Sequence, residues 1–462
     1  MTAPKFLIIG GGISGLACAW RLRELGIASL LLERSPRYGG VIDTVQHDSF
    51  RFDVGPQSFT NTPGLSALID ELGLAGELAR ADPRAPRYIL KHRRLVPAPL
   101  GPPQLLSTSL LSIRTKLRIF SEPFRRTTPP DGDESVAEFI RRKFGADLLT
   151  NLAGPFVSGI WAGDPEKLSL ISAFASLHRL EQKYGSIIRG VIKQRRAGGG
   201  ERGSLCNFRA GISALTHALA SKLGDSARAA AEVTSVRSSS AAKTAGFEVS
   251  YRVNDSQQTV TVPALIVATP ADATGRLLEG IEPSFASLLG KIEYAGVAQV
   301  SAGYGVEQIS FWNSERGLEG FGFLVPRTEG MRLLGTVWNS SLFPDRAPHG
   351  MMSFTSFLGG ATDPEMLSRA PEEIAATAHS ELGSILGITG KPAAQHISIW
   401  QRALPQYNIG HEAILSSVRA LATGLPGLFL TGNYFSGPSI GACVEHANSV
   451  ARQAAEFVAA AH

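Results

Sequence analysis

The most constraining feature of the chain lies in its first 33 residues. An apolar run, Phe6-Leu7-Ile8-Ile9, breaks into Gly10-Gly11-Gly12-Ile13-Ser14-Gly15; helical spacing then runs from Leu16 to Leu25, Gly26 stops it, and Ser29 to Leu32 forms a second apolar run. That order reads as a βαβ unit. Each glycine has a separate duty: Gly10 for the tight turn, Gly12 for close approach of a pyrophosphate to the helix N-terminus, and Gly15 for packing of helix on strand. Glu33 closes the second strand, in the window where a carboxylate binds an adenosine ribose hydroxyl. A carboxylate there, without an arginine cluster, argues against a 2′-phosphate. In a chain with 49 glycines the spacing alone means little, and a plain strand-turn-helix is its competing reading. Its setting between strand and helix gives it weight.

The 462 residues suggest about three globular units at roughly 150 residues each. With 44% hydrophobic and 18% charged residues and a mean hydropathy of +0.05, a disordered or fibrous chain is excluded. A net charge of +5 and a pI near 9.1 suit anionic small molecules or an acidic lipid surface better than duplex nucleic acid. Cys18, Cys206 and Cys443 encode neither a disulfide framework nor a zinc cluster, and no His/Cys/Asp set stands at metal spacing. No metal is expected, and a reducing, cytoplasmic setting is. No apolar run reaches the 18 or so residues of a spanning helix, and the opening run reads as a strand rather than an export signal.

Prolines cluster between Ala81 and Pro130, and ten Lys/Arg stand between Arg84 and Arg126 against the single acid Glu122. Leu100 to Arg126 interleaves leucines, isoleucines and Phe120 with Arg114, Lys116, Arg118 and Arg125. It suits either a membrane interface on the inner face or an amphipathic helix packed on its own domain. Helices are predicted over Ser135 to Leu152, with Ser135 and Glu138 as a capping box, and over Leu168 to Ile192. Lys193 to Gly200 reads as a basic, glycine-rich loop. Strands return over Ala231–Val236, Phe247–Val253, Thr259–Val262 and Ala264–Ala268. The last strand, Leu428 to Gly432, leads into a closing helix from about Gly441 to Ala460.

Beyond Glu33 stand Arg34-Ser35-Pro36-Arg37-Tyr38-Gly39-Gly40 and Phe52-Asp53-Val54-Gly55-Pro56-Gln57-Ser58. An arginine before paired glycines lets a cation and backbone amides reach one diphosphate, although Arg37 reads equally as a solvated loop residue. With this R-x-G-G element the chain resembles the flavin-dependent amine oxidase superfamily. Further motifs narrow the resemblance: Gly159-Ile160-Trp161-Ala162-Gly163-Asp164, Phe208-x-x-Gly211-x-x-x-Leu215, Phe321 to Pro326, Trp400 to Tyr407 with Gly410-His411, and Gly432-Asn433 with Gly437. In the order in which they occur they resemble the protoporphyrinogen/coproporphyrinogen oxidase family, from Phe6 to about Ala455.

The resemblance implies an α/β protein with a glutathione-reductase-like, Rossmann-type FAD-binding domain (1–75, 204–280, 425–462). It implies a helical, membrane-associating insertion (92–203) and a mixed-sheet substrate domain (76–91, 281–424). It implies FAD against Gly10, Gly12, Ile13, Ser14, Gly15, Glu33, Arg34, Gly39, Gly40 and the Gly55-Pro56-Gln57-Ser58 turn. Val233 would meet the adenine, and Trp400, Pro438, Ser439 and Ile440 the flavin. For a porphyrinogen it implies Arg87 as partner of a propionate and Phe156, Gly159, Phe321, Leu324 and Phe357 as walls. By themselves Trp400 reads equally as a core anchor, Val233 as a strand residue and Arg87 as a solvated cation. Two departures from the family stand at Ser158, where relatives carry arginine, and in Gly437-Pro438-Ser439-Ile440-Gly441-Ala442-Cys443. The implied reaction is oxidation of protoporphyrinogen IX to protoporphyrin IX in three two-electron steps. The flavin does the chemistry, no catalytic side chain is indispensable, and dioxygen accepts the electrons to give hydrogen peroxide. Coproporphyrinogen III is the rival substrate, with Arg84, Arg93 or Arg94 as extra cations. An amine oxidase with Lys291 near the flavin and a non-catalytic flavoprotein are further alternatives, and a homodimer is an open expectation.

Overall fold

The computed structural model describes residues 4–125, 130–196, 204–239, 246–311 and 317–460. The opening run is a strand, Phe6–Ile9, at the centre of a five-stranded parallel sheet. Ser29–Leu32 and Ala264–Val267 flank it, Ala227–Arg228 and Leu428–Leu430 lie outside, and every pairing is parallel. A parallel sheet needs both faces covered, which is why Phe6–Ile9 and Ala264–Val267 are apolar throughout. Phe6 and Ile8 face one cluster, with the first helix Ile13–Glu24 and the last helix Ile440–Ala460. Leu7 and Ile9 face the other, with the antiparallel sheet Ala231–Ser239, Gly246–Val253 and Ser256–Val262 and the helix Ala271–Leu278. The first helix begins at Ile13, three residues before the predicted start, because its N-terminal turn includes the glycine motif.

A second, seven-stranded sheet is mixed. In order it contains Ala394–Pro405, Tyr294–Gly305, Met351–Gly359, Leu333–Trp338, Gly322–Leu324, Arg87–Lys91 and Arg94–Pro97. Only Gly322–Leu324 and Arg87–Lys91 run parallel. One face packs on the helix Pro371–Leu386 through Ala298, Phe354 and Leu358. On the other face Ile89 joins the core of the helical region with Leu110, Ile119 and Phe139.

The two long predicted helices are each broken. Val136–Lys143 ends where Gly145 takes φ +100°, and the chain resumes as Ala146–Leu148, a wide turn at Leu149–Ala153 and Gly154–Trp161. Leu170–Ala173, Ala175–Tyr184 and Ile187–Arg196 replace the second, with Gly185 at φ +65° as a break. Glycine adopts this left-handed region without a Cβ penalty, so it ends helices. Lys193 to Arg196 are helical rather than loop, and Gly198 to Gly200 and Arg126 lie outside the described residues. The capping box forms: the Glu138 N–H donates to Ser135 Oγ at 3.1 Å and the Ser135 N–H to Glu138 Oε2 at 2.8 Å.

A buried ionic cluster ties these helices to the basic segment. Lys143 Nζ lies 2.6 Å from Glu181 and 3.7 Å from Glu122, and Arg142 bridges Glu181 and Glu134. The Glu122 carboxylate also accepts from the N–H groups of Ile187 and Ile188, capping the helix Ile187–Arg196.

Candidate functional site

The N-terminus of the first helix carries no side-chain cap, so its leading amides face outward at Gly12. A Cβ added at Gly12 would meet no atom within 4 Å, whereas one at Gly15 would lie 1.9 Å from the Gly10 carbonyl oxygen. Gly12 therefore borders open space, and Gly15 is the close approach of helix to turn. Gly10 takes φ +106°. The Glu33 carboxylate accepts the Gly11 N–H at 2.6 Å and the Ser35 N–H at 2.7 Å, which fixes it at the strand end. The Gly39 N–H donates to the Gly11 carbonyl at 2.8 Å, and a Cβ at Gly40 would lie 3.5 Å from Gly12 Cα. The paired glycines thus pack directly over the first glycine loop. Arg34 is exposed. Arg37 differs from the expected diphosphate cation: its guanidinium donates to the carbonyls of Tyr38, Gly40 and Ile42 and pairs with Asp43 at 3.4 Å, closing its own loop.

Two further elements reach this cradle. Ala231 N–H donates to the Glu33 carbonyl, so the strand carrying Val233 starts beside the acid. The last helix lies along the first, with Cys18 Sγ 3.4 Å from the Ala447 carbonyl and Arg21 Nε 3.3 Å from Asn448 Oδ1. Its start is capped by Ser439 Oγ, which accepts the Ala442 N–H at 3.2 Å and follows Pro438 directly. Ile440 is buried. Burial pushes the Cys443 thiol up to about 11, so it stays protonated and inert. An uncapped helix start, the close glycine loops and a second helix start together form a cradle that fits an anionic dinucleotide.

Between this cradle and the seven-stranded sheet stands the Val54-to-Ser58 turn. Asp53 ends its strand with a buried carboxylate that accepts from Thr44 Oγ1, the Ile212 N–H, Asn207 Nδ2 and Arg346 Nε. Arg346, also buried, donates further to the carbonyls of Phe208 and Arg209. Gly55 has no room for a side chain, since a Cβ would sit 1.8 Å from the Val41 carbonyl oxygen. Gln57 Nε2 donates to the Asp53 and Gly55 carbonyls. Trp400 Nε1 donates to the Val54 carbonyl at 2.7 Å and Gln299 Nε2 to the Gly55 carbonyl at 2.8 Å; Asn339 Nδ2 donates to Gln57 Oε1 at 2.6 Å. Pro56 and Ser58 are half-buried within this turn.

Pairing register places Leu324, Phe357 and Gln299 in one line across one sheet face. Leu324 pairs with Ile89 and Gly335, Gly335 with Phe357, Phe357 with Gln299, and Gln299 with Ser398. Residues paired directly across a ladder share a face, as do residues two apart on a strand, so Arg87 and Trp400 join it. Gly159, on the helix Gly154–Trp161, sits over Leu324: an added Cβ would be 2.6 Å from Leu324 Cδ2. Arg87 lies over the Phe321 ring at 5.4 Å. Phe156, on the same helix as Gly159, is 51% exposed. Arg93 and Arg94 lie at the opposite end of the Arg87–Lys91 strand, where the His92 and Arg93 N–H groups donate to Glu329. Lys291 is exposed outside this face. Sequence reading passed over Gln299, Asn339, Asn207 and Arg346, which no local motif marks.

A dinucleotide cradle joined through one turn to a mixed-sheet wall fits a flavin oxidoreductase, and the chain belongs to the flavin containing amine oxidoreductase family, matched over residues 13–458. FAD is the cofactor that this family and the cradle define. Within that class the chain is similar to the chloroplastic protoporphyrinogen oxidase of Nicotiana tabacum, 34% identical over 98% of this chain and 85% of that protein. It is also similar to the coproporphyrinogen III oxidase of Bacillus subtilis, 29% identical over 98% of each. A solved structure from Exiguobacterium sp. 255-15, provisionally named a protoporphyrinogen oxidase, shares the fold with a TM-score of 0.81 at 23% identity, covering 98% of this chain and 99% of that one.

Proposed function

We propose that the protein oxidises a porphyrinogen to its porphyrin, with protoporphyrinogen IX as substrate, in haem biosynthesis. The observation that carries the reading is the line Arg87, Leu324, Phe357, Gln299, Trp400 on one face of the mixed sheet, ending at the cofactor-side turn. From the strand of Arg87 to that of Gln299 is four strand intervals, roughly 19 Å at ~4.8 Å each. That span suits a flat macrocycle with a carboxylate arm on Arg87 and its rings over Leu324, Phe357 and Phe321. Bound FAD would supply a two-electron acceptor over three rounds, with dioxygen restoring it. Gly10 to Gly15, Glu33, Arg34, Gly39 and Gly40 would hold its adenosine and diphosphate, with Val233 at the adenine. Gly55 to Ser58, Trp400 and Pro438 to Ile440 would hold the ring end. The apolar walls exclude water, and the imidazole that shares this face among the described residues, His396, is a base weakened by burial, which fits a substrate whose own pyrrole nitrogens drive C–H cleavage.

Arg84 and Arg87 stand at one end of the hairpin and Arg93 and Arg94 at the other, so the hairpin offers cations to either propionate pattern and turnover decides between them. Protoporphyrinogen carries both propionates on one edge; coproporphyrinogen carries them on both. Side-by-side turnover of the two, read as porphyrin fluorescence, tests this: faster coproporphyrin formation overturns the assignment. No bleaching of the flavin by either porphyrinogen under anaerobic mixing overturns the whole reading.

The reading extends to organisation. Segments 1–75, 204–280 and 425–462 would bind FAD, 76–91 and 281–424 the substrate, and 92–203 would form the helical insertion. No helix among the described residues is long and apolar enough to cross a membrane. The helix Ile113–Ser121 and the turn after it instead expose Ile113, Leu117, Phe120 and Phe124 as one stripe beside Arg114 and Lys116. This stripe supports peripheral contact with an anionic membrane from the cytoplasmic side. A homodimer is compatible with this arrangement.

A further inference from the structure

Two buried carboxamides, Gln299 on the seven-stranded sheet and Asn339 on the short helix that follows its strand Leu333–Trp338, reach the same turn and share one anomaly. Gln299, 7% exposed, donates through Nε2 to the Gly55 carbonyl, and its buried Oε1 has no hydrogen-bond partner among the described residues. Asn339, 3% exposed, donates through Nδ2 to Gln57 Oε1, and its Oδ1 likewise has none among them. The orientation of the Gln299 amide is forced, because turning it over would set its oxygen against the Gly55 carbonyl. A single buried hydrogen bond contributes little net stability, and an orphaned buried acceptor removes at least as much. An apolar side chain of equal length would therefore serve stability as well. Gln299 stands between Phe357 and Ser398 on the face that carries the candidate substrate wall, while Gly55 belongs to the turn expected under the flavin.

We infer that Gln299 is a positioning residue: by holding the Gly55 carbonyl it sets the distance between the flavin-side turn and the substrate wall, with Asn339 holding the same turn at Gln57. Trp400 holds the third carbonyl, at Val54. Two side chains of the sheet and one from the helix that follows its strand Leu333–Trp338 thus hold Val54, Gly55 and Gln57 of one turn, and Gln299 holds the middle one. The inference rests on the proposed reading for the identity of the substrate but not for the flavin.

The test uses the FAD-loaded full chain and two variants. Gln299→Met keeps length and removes the donor. It is expected to retain bound flavin and a thermal midpoint within a few degrees of the parent, to shift the visible flavin absorption and reduction potential, and to lower kcat about tenfold with KM little changed. Gln299→Glu donates to Gly55 only when protonated. Its flavin spectrum and kcat are therefore expected to return toward the parent's as pH falls, a recovery that Gln299→Met lacks. A parent-like spectrum, potential and kcat in Gln299→Met overturn the inference. So does a Gln299→Met that fails to fold together with a Gln299→Glu that shows no recovery, since that pattern marks a residue needed only for stability. If the parent enzyme turns over no porphyrinogen while the spectral shift and its pH recovery persist, the substrate reading fails and the positioning role stands.

Discussion

At the residue scale, the glycines divide by what surrounds them rather than by their place in a motif. A side chain at Gly12 enters open space, whereas at Gly15 it collides with the Gly10 carbonyl and at Gly55 with that of Val41. Gly15→Ala and Gly55→Ala are therefore expected to purify with less than a tenth of the parent's flavin per chain, read from the ratio of flavin to protein absorbance. Flavin-replete Gly15→Ala protein would contradict the collision. Arg87 lies on Phe321 at the rim of the apolar face. Charge-assisted hydrogen bonds contribute about 1.5–3 kcal/mol, so Arg87→Ala should raise KM for protoporphyrinogen by at least about tenfold while kcat stays within a few-fold. A fall in kcat at constant KM would move Arg87 off the substrate. The strand, the glycine turn, the helix and Glu33 were legible because each contact in a βαβ unit is local. Arg346 was not, because it meets Asp53 from 293 positions away, and nothing near either residue announces the pair.

Among the elements, the helical region shows how amphipathic periodicity identifies a helix without fixing its length. The capping box at Ser135 was legible from four residues, yet Gly145 and Gly185 turn the chain within segments whose apolar spacing runs on. What settles the breaks is the core they wrap and the buried pairing of Lys143 with Glu181 and Glu122, which requires three separate segments to converge. The same convergence leaves Ile113 76%, Leu117 65% and Phe124 85% exposed. Single exposed apolar residues are ordinary, but a stripe along one helix face beside cations is not. Replacing Ile113 and Leu117 together by aspartate should abolish co-sedimentation with anionic vesicles at low salt, with bound flavin unchanged. Equal vesicle binding by parent and variant would show that the stripe does not dock.

For the whole molecule, the order of strands was the least legible feature, since the five-stranded sheet joins residues 6–9, 29–32, 227–228, 264–267 and 428–430. Alternating strands were readable one by one, but their partners are chosen by long-range packing. The same closure buries histidines. His446, on the last helix, stacks on Phe435 at 5.1 Å and bonds Thr431 Oγ1 through Nδ1 at 2.9 Å, and burial with Arg419 nearby lowers it from 6.5 to about 4. Burial also lowers His411 and His396. A histidine held neutral in the native state binds its proton first in the unfolded chain, so stability is full above about pH 6.5 and declines as pH falls toward 4. Carboxylates lowered by their partners, such as Glu138 and Glu181, titrate in the unfolded chain near 4.5, so their contribution is lost mainly below that value. The interval between pH 6.5 and 4.5 therefore belongs to the histidines, and His446 contributes up to about 1.4 kcal/mol per pH unit there. His446→Asn keeps an acceptor for Thr431 but cannot take up the proton. Its thermal midpoint should match the parent's at pH 8 and fall less steeply below pH 6.5, by on the order of 1 to 2 °C per unit. Parallel curves for the two proteins through that interval would mean that His446 is protonated in the folded state.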